Sequence, residues 1–350
     1  MKAIAVTPGQ QGSASLRTVE EPEATDGPML VETIAVGICG TDLEIARGDY
    51  GEAPSGDDYL IIGHESLGRV VEDPTGRFRP GQLVVGIVRR PCSHCANCHV
   101  GEWDMCRSGD YTERGIKGLH GYCSERYRID PDFAVLLPDE LSSVGVLLEP
   151  TTVVAKAWEH AERIGNRALF EPRTALVTGA GPIGLLAALL GVQRGLDVHV
   201  LDVVSSGPKP DLVHALGATY HSEKVTDLDI SPDIVMECTG VPSVVFDVIE
   251  RNGRNGVVCL TGVSSTGRSV TIDGGLVNRE IVLQNDAIFG SVNANKRHYE
   301  HGVAALRQAD NDWLRRLITR RVPIDNYDSA FERRSDDIKV IIEVAGAGSS

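Results

Sequence analysis

Four cysteines lie within fifteen residues of this chain, in the stretch PCSHCANCHVGEWDMC that contains Cys92, Cys95, Cys98 and Cys106. Thiolates are soft metal ligands, and four of them form a closed tetrahedral zinc shell. Thiolates this close together repel one another unless a cation neutralises them. An iron–sulfur cluster is the competing interpretation, but the compact ferredoxin run has a shorter last gap followed by proline, whereas Arg107 follows Cys106. The spacing predicts a structural zinc site whose closed shell leaves no position for a substrate.

A second group of metal-binding residue types lies outside that stretch. Cys39 occurs in VGICGTD, His64 and Glu65 occur together in GHES, and Glu149 occurs in LLEP. Thiolate, imidazole and carboxylate together form a mixed zinc shell that can leave one position for water or substrate. Successive side chains of a strand point to opposite faces, so His64 and Glu65 cannot both reach a metal if both lie on a strand. The sequence leaves open whether Glu65 or Glu149 is the third protein ligand.

A glycine-rich motif of the form G-x-G-x-x-G is made by Gly179, Gly181 and Gly184. It follows the apolar run TALVT and opens the helical run PIGLLAALLGV, and Asp202 ends the next apolar run. This pattern is typical of a dinucleotide site, with the pyrophosphate at the helix N-terminus and the acidic residue on the adenosine ribose. A carboxylate there repels a 2′-phosphate, so Asp202 predicts NAD rather than NADP.

The residues just after Asp202 leave some use of NADP open. Ser205, Ser206 and Lys209 follow it and are able to contact a phosphate, although Val203 is not an arginine.

The predicted secondary-structure elements that position these residues follow different patterns in the two parts of the chain. Up to about residue 155, short β-rich runs such as KAIAV, MLVETIAVGI, LGRVVE and QLVVGIV are separated by turn residues, which predicts a barrel-like β domain. From about Leu169, apolar strands alternate with helices, which predicts an α/β domain with a doubly wound parallel sheet. A final strand from Lys339 to Val344 is expected to return to the first domain.

Composition and charge exclude several classes of function. The chain has 350 residues, 34 basic against 49 acidic side chains and a formal net charge of -15, which disfavours a nucleic-acid partner. The N-terminus does not read as a signal peptide, and the longest apolar run, Ile183 to Val192, is too short to span a bilayer. These patterns predict no membrane association and a cytoplasmic location, where reduced thiols are available to bind metal.

The motifs CGTD, GHE, EPTT, GAGPIG and GSVNANKRHYE, together with the four-cysteine stretch, resemble those of the zinc-dependent medium-chain dehydrogenases/reductases from end to end. CRSGDYTERGIKGLHGY and GSVNANKRHY are most similar to the glucose (aldose) 1-dehydrogenase branch. The resemblance implies a GroES-like catalytic domain, residues 1–155 with 290–350, that carries the structural-zinc lobe at 91–107. It implies a Rossmann dinucleotide-binding domain at 156–289.

The same resemblance implies roles for individual residues. The catalytic residues and catalytic-zinc ligands would be Cys39, His64, Glu65 and Glu149, and the sugar contacts would be Thr41, Glu113, Glu149 and Asn293. The position of Thr41, two residues after Cys39, also predicts a hydroxyl that passes a proton toward the cofactor ribose, with a turn-capping hydroxyl as the alternative. The dinucleotide would lie against Gly179, Gly181, Pro182, Ile183, Gly184, Asp202, Leu260, Thr261, Gly262, Ser291, Val292 and Asn293.

The implied activity is oxidation of the C1 hydroxyl of an aldose, D-glucose to gluconolactone, with two zinc ions per chain and NAD or NADP as hydride acceptor. Glu149 stands where simple alcohol dehydrogenases usually have cysteine, and threonine and sorbitol enzymes share that difference. A polyol, secondary alcohol or threonine dehydrogenase is therefore the alternative. Val88 stands where some aldose enzymes carry asparagine, which leaves the preferred sugar open. The resemblance also implies a homodimer or homotetramer, often built through an edge strand near GRSVTIDG.

Overall fold

The computed structural model describes residues 1–264 and 267–344, so the terminal stretch AGAGSS lies outside the described residues. The strands are β1 (Lys2–Val6), β2 (Ser15–Thr18), β3 (Met29–Ile38), β4 (Leu60–Ile61), β5 (Glu65–Glu72), β6 (Leu83–Gly86), β7 (Arg89–Arg90), β8 (Thr112–Arg114), β9 (Gly118–Leu119), β10 (Arg126–Ile129), β11 (Ala134–Leu137), β12 (Thr174–Thr178), β13 (Asp197–Leu201), β14 (Thr219–His221), β15 (Ile234–Glu237), β16 (Val257–Leu260), β17 (Ala287–Gly290), β18 (Ile318–Pro323) and β19 (Lys339–Glu343). The helices are α1 (Gly40–Arg47), α2 (Ala96–His99), α3 (Leu148–Gly165), α4 (Pro182–Gln193), α5 (Pro208–Ala215), α6 (Pro242–Arg251), α7 (Gly274–Gln284), α8 (Lys296–Gln308) and α9 (Asn311–Leu317).

The chain divides into two compact units. The first comprises Met1–Glu149 with Asn293–Ser350, and the second comprises Pro150–Val292. The predicted divisions fall at 155/156 and 289/290, a few residues from these. The first of the observed divisions lies in the first turn of α3, so one continuous helix contributes residues to both units.

The first unit is built on a mixed sheet with strand order β11-β6-β5-β3-β19-β18, and β10 also pairs with β3. The long strand β3 alternates between buried and half-buried side chains along its first half and is buried along its second half. This is the pattern of a strand with one face on a core and an end covered on both faces. The C-terminal strand β19 pairs antiparallel with β3 and parallel with β18. Strand β19, the last in the described part of the chain, therefore lies beside the strand that leads into Cys39.

Two smaller sheets complete the first unit, with orders β2-β1-β4 and β7-β8-β9. The second of these includes the antiparallel pair β7 and β8, with Arg89 opposite Glu113. The four-cysteine stretch lies in the chain between these two paired strands, and residues 91–107 are called the lobe below. Apolar side chains from β1, β3, β4 and β19 share one core, which includes Ile4, Val36 and Ile342.

The second unit contains one parallel sheet with strand order β14-β13-β12-β15-β16-β17. Numbered within the unit, this is the order 3-2-1-4-5-6 of the Rossmann fold. The predicted α/β class is thus confirmed. The prediction of a strand near GRSVTIDG is wrong, because residues 267–273 belong to no strand and Gly274 begins α7. Turn residues at both ends and exposed side chains throughout this stretch explain the difference, and the edge strand of the sheet is β17.

Among the described residues, no helix has both the length and the apolar character needed to cross a membrane.

Candidate active site

The mixed metal-type residues converge at the start of α1 and β5. Cys39 is the N-cap of α1, and its sulfur accepts a hydrogen bond from the backbone N–H of Thr41 at 3.3 Å. Nε2 of His64 lies 3.2 Å from the Cys39 sulfur. One ligand atom each from Cys39, His64 and Glu65 lies within 4.8 Å of the other two. The three side chains are therefore close enough to share one ion.

His64 and Glu65 reach the same point because only one of them lies on a strand. Glu65 is the first residue of β5, and His64 precedes it outside any strand. The alternation of side chains that argued against joint binding applies only within the strand. Both residues are buried, with exposed fractions of 6% for His64 and 2% for Glu65.

Asp42 orients His64, a role that was not predicted from the sequence. One carboxylate oxygen lies 3.4 Å from Nδ1 of His64, and the other accepts the backbone N–H of Cys39 at 2.9 Å. Burial would raise the pKa of Asp42, but the charge of His64 and these hydrogen bonds outweigh it and hold the pKa below its ordinary value. A carboxylate on one imidazole nitrogen fixes the other nitrogen toward a metal. The signal in the sequence was the aspartate of CGTD, three residues after Cys39 in a capping-box position.

Lys339 is the second residue that the sequence analysis missed. Its ammonium lies 2.6 Å from both carboxylate oxygens of Glu65, and the side chains of Lys339 and Glu65 are only 1% and 2% exposed. Burial would lower the pKa of Lys339, but the nearby carboxylates and the Cys39 sulfur raise it above its ordinary value. Glu65 therefore has an internal cationic partner in addition to its place beside Cys39 and His64. A lysine in the apolar run IKVIIEV was the available signal.

Glu149 lies in the first turn of α3, is 9% exposed, and is not part of the three-residue ligand group. Burial raises the pKa of its carboxyl group to about 7; His64 opposes the shift and Glu65 reinforces it. Burial of Glu149 thus favours the neutral form of its carboxyl group.

The donor set fits a divalent zinc ion. A thiol, an imidazole and a carboxylate are all ordinary zinc ligands, and the set is incomplete as a tetrahedron, which is typical of a catalytic site. Burial would lower the pKa of His64, but the charges of Cys39 and Asp42 raise it well above the ordinary value. The surroundings of the cluster therefore favour positive charge, which a bound cation supplies.

The lobe also fits a metal. Ligand atoms of Cys92, Cys95, Cys98 and Cys106 lie within 4.8 Å of one another. The Cys92 sulfur accepts the N–H of Cys95 at 3.3 Å, and the Cys95 sulfur, at the N-cap of α2, accepts the N–H of Cys98. A hydrogen bond from Ser108 and backbone N–H groups lower the pKa of Cys92 to about 5, which favours the thiolate that metal binding requires.

Two of the residues that the resemblance assigned to the sugar are in direct contact. The side-chain amide of Asn293 donates to Oε1 of Glu113 at 2.7 Å. The same oxygen accepts two hydrogen bonds from Arg89, at 2.9 and 3.1 Å, and Glu113 is 5% exposed. The hydroxyl of Thr41 has no hydrogen bond to any residue in the described ranges, so it does not serve as a helix cap.

The glycine-rich turn has the backbone that its three glycines predict. Gly179 has φ of +88°, and a Cβ at Gly184 would lie 1.7 Å from the carbonyl oxygen of Gly179. Gly181 is the N-cap of α4, and a Cβ there would meet no protein atom within 4 Å. Pro182 and Ile183 follow as the first residues of α4. The helix N-terminus is thus open to a ligand from the Gly181 side.

Asp202 lies against this turn. One carboxylate oxygen accepts the N–H of Ala180 at 2.7 Å and the ammonium of Lys209 at 3.0 Å, and the other accepts the N–H of Val204. Burial would raise the pKa of Asp202, but these hydrogen bonds and the charge of Lys209 lower it below its ordinary value. The carboxylate is thus placed at the turn, and Lys209 is paired with it.

The other predicted dinucleotide residues follow the ends of β16 and β17. Leu260 ends β16, its carbonyl oxygen accepts the N–H of Ser291, and Val292 is exposed. The N–H groups of Thr261 and Gly262 both donate to the carbonyl oxygen of Glu237, the last residue of β15. These residues lie at the carboxyl ends of parallel strands, the usual edge for ligands in such sheets.

Two family models match the chain over most of its length. The model described as the alcohol dehydrogenase GroES-like domain matches residues 25–139, and that described as the glucose dehydrogenase C-terminus matches residues 142–344. Together with the Rossmann sheet and the cluster of Cys39, His64 and Glu65, these matches identify the chain as a medium-chain dehydrogenase/reductase.

Full-length comparisons are more specific. The chain is 41% identical to a glucose 1-dehydrogenase of Methanocella arvoryzae and 40% identical to one of Thermoproteus tenax, each over 98% of this chain and 99% of the relative. A glucose dehydrogenase of Haloferax mediterranei, solved in complex with NADP, zinc and gluconolactone, superimposes with a TM-score of 0.91 at 34% identity, covering 99% of this chain and 100% of the other. The chain belongs to the glucose dehydrogenase family within the zinc-dependent medium-chain dehydrogenases/reductases.

Proposed function

We propose that this chain is an NAD(P)-dependent, zinc-dependent glucose 1-dehydrogenase that oxidises the C1 hydroxyl of D-glucose to gluconolactone. The observation that carries the proposal is the convergence of Cys39, His64 and Glu65 in a chain 41% identical, over nearly its full length, to glucose 1-dehydrogenases. The structural neighbour solved with gluconolactone supports the same substrate class.

The catalytic metal would be held by Cys39 and His64 with a carboxylate, Glu65 or Glu149. A zinc ion bound there supplies Lewis acidity that lowers the pKa of a substrate hydroxyl. Asp42 keeps His64 oriented through Nδ1, and Lys339 balances the charge of Glu65. Cys92, Cys95, Cys98 and Cys106 would hold the structural zinc.

The protein groups around the sugar would bind and orient its hydroxyls. Glu113 presents Oε2, which accepts none of the hydrogen bonds from Arg89 and Asn293, to a donating hydroxyl. The hydroxyl of Thr41, two residues from Cys39, is available to pass the proton of the reacting hydroxyl onward.

The second unit would bind the dinucleotide, which would supply the hydride acceptor for the oxidation. Backbone N–H groups at the start of α4 would bind the pyrophosphate, and Asp202 would bind the adenosine ribose. Asp202 favours NAD, while Lys209 beside it offers a positive charge to a 2′-phosphate, so we propose NAD as the preferred cofactor with some use of NADP.

We also propose that the enzyme works in the cytoplasm as a homodimer or homotetramer. Thiolate ligands require reduced cysteines, which that compartment maintains. Exposed apolar side chains on α7, Leu276, Val282 and Leu283, near the edge strand β17, support assembly with further copies of the chain.

A substrate panel tests the proposed activity. The purified, zinc-loaded protein is assayed with glucose, galactose, xylose, sorbitol, threonine and a short alcohol, each with NAD and with NADP, by the absorbance of the reduced cofactor. We expect the highest kcat/KM with glucose. Activity on sorbitol or threonine but on no aldose would overturn the proposal, and a strong preference for NADP would overturn the role given to Asp202.

A further inference from the structure

The lobe is joined to the predicted sugar contacts by two separate sets of hydrogen bonds within the first unit. The first runs through Arg89, which precedes the lobe in the chain. Its Nη1 donates to the carbonyl oxygen of Asp104 in the lobe at 3.1 Å, while Nε and Nη2 donate to Oε1 of Glu113. The guanidinium also lies 3.8 Å from the ring centroid of Tyr111. Arg89 is 5% exposed, so these contacts hold it in one geometry.

The second set of hydrogen bonds runs through the segment that contains Asn293. Two residues further on, Asn295 is the N-cap of α8, and its amide donates to the carboxylates of Asp104 at 2.8 Å and Glu102 at 3.3 Å. Arg297, in the first turn of α8, pairs with Glu102 at 2.6 Å. Two acidic side chains of the lobe therefore hold the segment that follows Asn293.

The position of the lobe in the chain connects its predicted metal site to Glu113. The lobe joins β7 to β8, in which Arg89 and Glu113 are directly opposite one another. A metal bound by four cysteines shortens this connection and fixes its ends. Without the metal, closing the connection costs additional conformational entropy and the short pair β7–β8 loosens.

We propose that the lobe positions the sugar-binding side chains Glu113 and Asn293 through Arg89 and Asn295, so that the metal in the lobe sets the affinity for the sugar. Arg89 and Asn295 are positioning residues, since they act through Glu113 and Asn293. The inference rests on the proposed sugar contacts of the preceding section, and it adds to the lobe a role in substrate affinity beyond stabilising the fold.

Kinetics of three variants test the inference. Cys106→Ser removes one ligand of the lobe, Arg89→Lys keeps the charge but loses the forked contact, and Arg90→Lys is the matched control, because Arg90 donates to the carbonyl of Ile87 and not to Glu113. We expect KM for glucose to rise about tenfold or more in the first two, as for other lost supporting contacts. In these two variants KM for the dinucleotide should stay within about twofold of the wild-type value. In Arg90→Lys both KM values, for glucose and for the dinucleotide, should stay within the same range.

A double-mutant cycle separates positioning from a general loss of structure. Arg89→Lys in a Glu113→Ala background should raise KM for glucose no further, because the effect of Arg89 passes through Glu113. If Glu113→Ala alone leaves KM for glucose unchanged, the proposed sugar contact is wrong. If Glu113→Ala raises KM but Arg89→Lys and Cys106→Ser do not, the inference about the lobe is wrong while the proposed function stands.

A binding measurement supplies a readout independent of turnover. Coupling between two sites is reciprocal, so gluconolactone bound together with the oxidised dinucleotide should strengthen retention of zinc by the lobe. Transfer of zinc to a chromogenic chelator is measured with and without these two ligands, using Cys106→Ser to identify the zinc released by the lobe. Equal release with and without ligands would contradict the inference. If Cys106→Ser fails to fold, Arg89→Lys carries both tests. We then expect faster release of zinc from the lobe and a smaller effect of the ligands on that release, because the contacts of Asn295 remain.

Discussion

Two of the candidate metal ligands are each held by a residue from another part of the chain. Asp42 contacts His64, and Lys339 contacts Glu65. Each is almost fully buried, so each contact operates where water does not compete for it. The ligand side chains are therefore oriented by buried charged neighbours: a carboxylate lies beside the imidazole of His64, and an ammonium lies beside the carboxylate of Glu65. Substitutions of Asp42 or Lys339 should therefore lower the affinity for the metal more than they lower the stability of the fold.

Asp42→Asn tests this expectation. The variant keeps the shape of the side chain but lacks the negative charge opposite Nδ1 of His64, so we expect affinity for the catalytic zinc to fall about 10- to 100-fold while the lobe stays loaded. The affinity is measured from the number of zinc ions per chain that remain after dialysis against increasing concentrations of a chelator. Asp49→Asn, an exposed aspartate just beyond α1, is the control. Unchanged zinc retention in Asp42→Asn would show that His64 needs no carboxylate partner.

His120 predicts a pH dependence of stability. Its Nδ1 accepts the N–H of Ile61, so Nε2 carries the proton and faces Asp57 at 3.0 Å. Burial lowers the pKa of His120, against the opposing charge of Asp57. The unfolded chain then takes up a proton at higher pH than the folded one, so this contribution to stability is complete above pH ~6.5 and is lost as the pH falls.

Thermal unfolding at pH 7.5 and pH 5.5 measures this effect. His120→Asn places an oxygen where Nδ1 accepts the N–H of Ile61 and cannot be protonated in this range. We expect Tm of the wild type to fall more between the two pH values than Tm of His120→Asn. An identical fall in the two proteins would exclude His120 as a source of the acid sensitivity.

At the level of secondary-structure elements, two glycines in the turn between β12 and α4 have different roles. Gly184 lets the helix approach the turn closely, since a Cβ would lie 1.7 Å from a backbone oxygen of Gly179. Gly181 has an ordinary φ of -79° and open space around its Cβ position, so the protein itself does not require glycine there. A requirement for glycine at Gly181 would come from the ligand.

Gly184→Ala and Gly181→Ala should therefore differ in kind. Gly184→Ala should lose about 1–3 kcal/mol of stability, as overpacked sites do, and lower Tm. Gly181→Ala should leave Tm nearly unchanged but raise KM for the dinucleotide. Calorimetry with cofactor kinetics measures both effects, and a large drop of Tm in Gly181→Ala would contradict the division of roles.

At the scale of the whole molecule, net charge and exposed apolar surface act in opposite directions on assembly. The net charge of -15 repels further copies of the chain at long range. Val282 and Leu283 on α7 are nevertheless 64% and 61% exposed, close in sequence to the edge strand β17. Neighbouring exposed apolar side chains of this size are typical of an interface.

The pair Val282→Asp and Leu283→Asp, combined in one variant, should shift the assembly toward monomers, because two carboxylates would be buried in the contact. Light scattering across a range of protein concentrations measures the mass. Leu169→Asp is the control, since Leu169 is 91% exposed and precedes β12. A mass unchanged by the double substitution would remove this face as the interface.

Features that depend on residues close together in the chain were predictable from the sequence. The spacing of four cysteines and the strand–glycine turn–helix run both concern residues close together in sequence, and the alternation of strands and helices is enough for the class of the second unit. The motifs around Cys39 and His64 indicated an open metal site, although no local rule could decide whether Glu65 joins them. The alternation rule does not apply to His64 and Glu65, because β5 begins one residue after His64.

The contacts between residues far apart in the sequence could not be predicted and are seen only in the folded chain. Lys339 meets Glu65 across 274 residues because β19 lies beside β3, and Asn293 meets Glu113 across 180 residues. Arg89 meets Glu113 because two short strands pair on either side of the lobe. Burial makes such contacts strong, and burial depends on which distant strands come together, a property that spacing along the chain does not encode.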